Sequence, residues 1–330
     1  MGTPRITSRH LQLPHLRLHL LETGPRSGPL VLLLHGFPES AESWREVMLD
    51  LAAAGLRAVA PDLRGYGGSE VPPGGYDLDT LAADVVALAE ALRPGERVHV
   101  VGHDWGGVIA YHLGMHYPER LARLAVVNAP HPAVMARRIW RADQLLRSSY
   151  MFFFQLPWLP ERLLSANAGR RVANLIKGSL VHPERVARGR LALFAHSFSR
   201  PEVAHAAVTY YRSAFRAALS PGALRRTFSR PPSIRTPFRL IWGERDGALG
   251  RHLTEGLEPY FSGPFDVRYL PDVGHFAPLE APELVAALLV EHLSPPRARQ
   301  VRRGAPEPAA GGRAGGRAAR KTTTGPRLLQ

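Results

Sequence analysis

The sequence predicts an α/β chain built on a mostly parallel, doubly wound sheet, with a helical insertion late in the chain. Two observations carry that expectation. Short, mainly apolar runs such as Leu30-Val31-Leu32-Leu33-Leu34 and Val98-His99-Val100-Val101 alternate with stretches whose apolar residues recur at helical spacing. Strands covered on both faces read as continuous apolar runs, and strands alternating with helices build parallel sheets. The rhythm then breaks at Pro130. From there to residue 233 the chain is rich in Arg and aromatic residues and has no strand-like alternation.

In chain order, residues 17–24 form an early strand that ends at a glycine turn. Pro29 introduces the strand Leu30–Leu34, closed by His35-Gly36-Phe37-Pro38-Glu39-Ser40, and a helix follows over 41–54. A strand at 57–60 leads into Pro61-Asp62-Leu63-Arg64-Gly65-Tyr66-Gly67-Gly68-Ser69, a glycine-rich loop that meets neither phosphate-binding spacing. Asp62, Arg64 and His35 read as residues that brace these loops. Asp77 or Asp79 caps a helix running to about Leu92. The strand at 98–101 stops at Gly102, and a helix opens at Trp105 with Val108, Ile109, His112 and Leu113 at helical spacing. After a strand at Leu121–Val127 comes the insertion; strands resume at Phe238-Arg239-Leu240-Ile241-Trp242 and Phe265–Leu270, and a last helix covers Pro282–Leu293. The expected organisation is a core of 1–129 with 234–293, a helical cap of 130–233, and a basic, disordered tail of 294–330. The cap is expected over the carboxyl ends of the strands, where open α/β sheets place their ligands.

The 330 residues are 45% hydrophobic and 21% charged, ordinary for a soluble globular chain. Cysteine is absent, which excludes disulfides and thiolate metal sites and suits a reducing compartment. No apolar run reaches 18 residues and the N-terminus lacks an apolar signal core, so no membrane span and a cytoplasmic location are expected. The net charge is +14, but nine Lys or Arg against one Glu give the tail +8 of it. A specific nucleic-acid partner is therefore not expected; a basic tail binds polyanions without specificity.

The stretch Gly102-His103-Asp104-Trp105-Gly106-Gly107 follows a buried strand and opens a helix at once. It matches the nucleophile elbow G-x-S-x-G with aspartate in place of serine. Alone, it reads equally as an aspartate that caps a helix. Its partners change the balance. Asp246 stands in Trp242-Gly243-Glu244-Arg245-Asp246 after one strand, and His275 in Val273-Gly274-His275-Phe276 after the last. The order nucleophile, acid, histidine is that of a catalytic triad on such a sheet, with Glu244 as a competing acid two residues before Asp246. Backbone N–H groups of Phe37 and Trp105 are the expected oxyanion donors. Serine needs a base before it attacks, whereas aspartate is already anionic at neutral pH. It attacks sp³ carbon directly, which points to epoxides and alkyl halides and away from acyl esters.

These segments, spread over residues 17–293, resemble the α/β-hydrolase superfamily and, within it, the epoxide hydrolases. The resemblance implies an α/β-hydrolase fold with an inserted helical cap and hydrolysis of an epoxide to a vicinal diol. It implies a covalent alkyl ester on Asp104, then attack by water activated by His275 and oriented by Asp246. Two cap tyrosines then hold the epoxide oxygen: Tyr150 stands where the first is expected and Tyr211 where the second is, with Tyr210 the near alternative. Phe37, Trp105, Phe154, Trp158 and Phe276, with Phe152 and Phe153, suggest an apolar pocket for a lipophilic epoxide. No metal-ligand spacing is visible, and the chemistry requires no metal or organic cofactor. A haloalkane dehalogenase shares the triad, but Phe37 supplies no side-chain donor for halide, so Trp140 or Trp158 must join Trp105. A catalytically silent ligand-binding relative is the reading of another class, since fold alone does not fix function.

Overall fold

The structure, a computed structural model, describes residues 5–220 and 231–294. Eight strands make one sheet: β1 (Thr7–Gln12), β2 (Arg17–Thr23), β3 (Leu30–Leu34), β4 (Arg57–Pro61), β5 (Val98–His103), β6 (Leu121–Val127), β7 (Phe238–Gly243) and β8 (Phe265–Leu270). Their spatial order is β1-β2-β4-β3-β5-β6-β7-β8, with β2 antiparallel to both of its neighbours and every other pair parallel. Every residue of β3, β4, β5 and β7 is buried, because helices cover both faces. The two-residue period of a strand divides the apolar side chains between those faces. Val31, Leu33, Val101, Val127 and Ile241 pack with α1 (Arg45–Ala53), the short α11 (Ala277–Glu280) and the C-terminal helix α12 (Pro282–Leu293). Leu32, Leu34, Val100, Val126 and Leu240 pack with α2 (Leu78–Leu92) and α3 (Trp105–His116).

The strand β1 is not expected from the sequence. It is polar, no residue in it is buried, and it forms an outer edge paired only with β2, so no burial pattern marks it. The first turn of the 41–54 helix is a separate 3-10 turn, Ala41–Trp44, capped by the Ser40 hydroxyl accepting from the Glu42 N–H. Of the two candidate caps for α2, Asp77 is the one that accepts from the Thr80 N–H, at 3.0 Å.

Between β6 and β7 the described residues contain no strand. The helices there are α4 (Pro132–Arg138), α5 (Ala142–Arg147), α6 (Ser149–Phe153), α7 (Leu159–Ser165), α8 (Arg170–Ser179), α9 (Arg188–Phe198) and α10 (Pro201–Leu219), with a short 3-10 turn at Pro183–Arg185. The end of the insertion at 221–230, and the basic tail expected to be disordered beyond Ser294, lie outside the described residues. Among the described residues no helix is long and apolar enough to cross a membrane.

The chain runs from β3 outward to β4 and then returns to β5 on the opposite side of β3. A reversal of this kind opens a crevice at the carboxyl ends of the two strands. The register Leu34↔Gly102 brings the segment after β3, starting at His35, beside the segment after β5, starting at Asp104.

Candidate active site

The turn from β5 into α3 holds Asp104 at φ 48 and ψ −116, a backbone state that costs a non-glycine residue about 1–3 kcal/mol. Close backbone approach explains the surrounding glycines. A Cβ on Gly102 would lie 2.1 Å from the Gly106 carbonyl oxygen, and one on Gly106 would lie 2.2 Å from that of Leu34. Gly102→Ala is therefore expected to cost about 3 kcal/mol, read as a lower urea midpoint for unfolding, because the obstacle is backbone and cannot swing away. Gly36 is restricted by the site itself, since a Cβ there would stand 2.4 Å from the Asp104 Cβ.

Asp104 occupies the cap position of α3, yet its side chain makes no capping hydrogen bond. Its Oδ1 instead accepts the Phe37 N–H at 2.8 Å. Its Oδ2 lies 3.7 Å from His275 Nε2. On the other side of the imidazole, His275 Nδ1 donates to Asp246 Oδ2 at 2.7 Å. Asp246 is held in turn by Asn128 Nδ2 on Oδ2 and by the N–H groups of Ala248 and Leu249 on Oδ1, each at 2.8 Å. Glu244, the competing acid, pairs with Arg251 at 3.0 Å and is not brought to the histidine.

The charges follow from this arrangement. Burial works against ionisation of Asp246, but the His275 charge, the bond to His275, Asn128 and the Leu249 N–H outweigh it and hold the carboxyl below its ordinary range. Burial would also depress His275; the Asp246 charge and hydrogen bond, with Asp104 and Glu39 adding, raise it to about 9. Asp104 is pushed up by burial, opposed by the charges of His275 and His103 and by the Phe37 and Trp105 N–H groups. With its pKa raised to about 9, His275 is an imidazolium at neutral pH, set between Asp246 and Asp104.

Two buried carboxylates that sequence reasoning did not single out support the site from behind. Glu39 Oε2 lies 2.7 Å from His103 Nδ1 and accepts the Gly36 N–H at 3.2 Å, while His103 Nε2 donates to the His275 carbonyl at 2.8 Å. Glu280 accepts the Gly274 N–H at 2.9 Å on one oxygen and the His182 N–H at 2.7 Å on the other. It ties the loop of His275 to the insertion. Asn128 also went unnoticed, although its place at the end of β6, beside β5 and β7, was a usable signal. His35 accepts the Leu63 N–H at 3.0 Å on Nε2, and Asp62 accepts from Ala41 and Gly68, at 2.8 and 2.7 Å. These contacts stitch the two loops together.

The insertion brings two tyrosine hydroxyls to the same crevice. Tyr211, on α10, sets its ring 5.0 Å from Trp105, 5.4 Å from Phe37 and 5.8 Å from Tyr150 on α6. Burial first, then nearby negative charge including that of Asp104, pushes both phenols far above their ordinary pKa, so both keep their protons. The Tyr210 hydroxyl instead donates to the Arg64 carbonyl at 2.8 Å.

Phe154 is buried edge-on against Phe37, with ring centroids 5.3 Å apart, and Phe153 packs against Phe154. Phe276 packs against the rings of His103 and His275 and backs the histidine. Trp158 does not line the crevice. It caps α7 in a surface turn, is 62% exposed, and carries Arg162 over its ring at 5.7 Å. Phe152 likewise faces outward, against Phe215.

Comparison with known proteins identifies the family. The profile of the family described as alpha/beta hydrolase fold matches residues 29–282. The chain is 35% identical over 282 residues to the AB hydrolase superfamily protein YfhM of Bacillus subtilis (strain 168), covering 84% of this chain and 94% of the relative. It is 34% identical over 284 residues to epoxide hydrolase 4 of Homo sapiens, covering 83% of this chain and 75% of the relative. The crystal structure of Bacillus megaterium epoxide hydrolase in complex with an inhibitor superposes with a TM-score of 0.77 at 26% identity, over 86% of this chain and 99% of that one. With its crossover, elbow and matched segments, the chain belongs to the alpha/beta hydrolase fold family, in its epoxide hydrolase branch, and is a hydrolase.

Proposed function

We propose that the enzyme hydrolyses a lipophilic epoxide to a vicinal diol through an alkyl ester on Asp104. The observation that carries this reading is the division of labour on one carboxylate: Oδ1 is held by the Phe37 N–H, and Oδ2 faces His275 without a hydrogen bond. Oδ2 attacks a ring carbon from behind, forming a C–O ester bond and breaking the ring C–O bond. Tyr150 and Tyr211 hydrogen-bond the departing oxygen, and one of them gives it a proton. Esterification removes the Asp104 charge that helps keep His275 protonated; the imidazolium gives its proton to the tyrosinate left by ring opening, and the neutral imidazole is then a base. It takes a proton from water, which attacks the Asp104 carboxyl carbon. The Phe37 and Trp105 N–H groups hold the resulting oxyanion. Collapse breaks the ester C–O bond, the departing alkoxide takes the proton from His275 to complete the diol, and the Asp104 carboxylic acid returns its proton to the imidazole to restore the carboxylate.

A single turnover with enzyme in excess, in H₂¹⁸O, tests the ester. The label is expected in the Asp104 carboxylate, with an unlabelled first diol; label appearing directly in that diol means that water opened the ring. Tyr150→Phe with Tyr211→Phe is expected to slow ring opening by about 10²–10⁴-fold in stopped-flow traces, with little change in ester hydrolysis.

The pH dependence follows from the signs. Ring opening requires ionised Asp104, so its rate falls only as pH drops through a value above 3.8, the ordinary aspartate value. Ester hydrolysis requires neutral His275, so its rate rises with pH through a midpoint below about 9, the value in the unmodified site. Pre-steady-state rates measured across pH check both limbs. Dehalogenation is the weaker reading: Trp140 and Trp158, the tryptophans a halide site needs from the insertion, are 70% and 62% exposed. Halide release without diol formation, on matched substrates, reverses that choice.

A further inference from the structure

Ten of the eleven large apolar side chains exposed among the described residues lie in the insertion, which also carries a large net positive charge. Residues 130–219 hold fourteen Lys or Arg against four Asp or Glu, a net +10, whereas 1–129 with 220–293 sum to −4. Apolar and basic character therefore share one part of the molecule, which composition alone does not require.

Five of the exposed groups, Phe152, Leu156, Trp158, Phe215 and Leu219, share one surface. Phe152 meets Phe215 edge-on at 6.3 Å, and Leu219 stands one turn further along α10. Arg212, also on α10, donates to the carbonyls of Phe154 and Leu156 at 3.0 and 2.6 Å, so the turn carrying Leu156 and Trp158 is fastened to the same helix. Arg162 and Arg216 are exposed at the border. The acid nearest to them, Glu161, is occupied by Arg212 and His205. The two helices concerned are also those that turn Tyr150 and Tyr211 inward, so this surface is the outer side of the segments that close the crevice.

We propose that this face of the insertion docks on an anionic lipid bilayer. Exposed Trp, Phe and Leu bordered by Arg match the headgroup boundary, where rings insert shallowly and guanidinium groups stay with phosphate. Charge complementarity selects this occupant over a second copy of the chain, which would set one arginine-bordered face of a net-basic insertion against another. Docking there places the crevice beside the phase in which a lipophilic epoxide concentrates.

The chain's own fluorescence supplies the test. Of its five tryptophans, Trp44, Trp105 and Trp242 are buried, leaving Trp140 and Trp158 exposed. The full-length enzyme is mixed with vesicles of phosphatidylcholine alone, or of phosphatidylcholine and phosphatidylglycerol with brominated acyl chains. Quenching is expected only with phosphatidylglycerol, fading at high salt. Leu156→Ser with Phe215→Ser is expected to weaken partition at least about tenfold. Arg162→Gln and Arg216→Gln each weaken it about fivefold. Vesicle binding without quenching, unchanged in these variants, assigns binding to the basic tail and overturns the proposal. So does the absence of binding, or lipid-independent self-association that Leu156→Ser with Phe215→Ser abolishes. Quenching of the unmodified enzyme decides the matter even if a variant fails to fold.

Discussion

Asp104→Ala is expected to lower kcat/KM for epoxide hydrolysis by about 10⁵–10⁶-fold while leaving the protein folded. No neighbouring group can substitute for this carboxylate. Asp246 is bound through both oxygens behind the imidazole, and Glu39 lies on the far side of His103. The fold should tolerate the change, because the carboxylate is buried at a cost and alanine keeps the same Cβ in the elbow. The measurement is single-turnover ring opening beside a circular dichroism melt. Activity within a hundredfold of the unmodified enzyme, with an intact melt, shows that Asp104 is not the nucleophile.

His275→Gln is expected to separate the two half-reactions. Ring opening continues, because Asp104 needs no base, but the ester is not hydrolysed at a useful rate. One equivalent of epoxide should disappear per enzyme, steady turnover should fall about 10³–10⁴-fold, and the protein should gain the full mass of the substrate. The gain is the full mass because ring opening expels no fragment. An enzyme of unchanged mass during residual turnover excludes the ester. Losing the imidazolium also removes the charge that most strongly favours ionised Asp104, so ring opening in this variant should weaken sooner as pH falls.

Much of the architecture was legible because the relevant signals are local. The apolar runs and helical spacings marked the strands β2 to β8 and the long helices α2, α3 and α12, and the elbow announced itself by glycines packed around one aspartate. Asp104, Asp246 and His275 each lie in the segment after a strand, and parallel strands deliver their carboxyl ends to one edge of the sheet; order along the chain therefore implied proximity. The edge strand β1 escaped because a strand without a buried face has no period to detect.

What only the tertiary structure decided concerns direction. Tyr210 and Tyr211 are consecutive on α10, about 100° apart around its axis, and packing alone turns one toward Arg64 and the other toward Trp105. Trp158 and Phe154 belong to one aromatic run, yet one is exposed and the other buried, because burial depends on what lies across the crevice. Glu39, Asn128 and Glu280 are separated in the chain from the groups they hold, so no local pattern assigns them. Sequence by itself determined which chemistry-bearing residues the sheet collects at its carboxyl edge, since that follows from strand order. The three-dimensional packing determined which of their neighbours face them, because side-chain direction depends on contacts far apart in the chain.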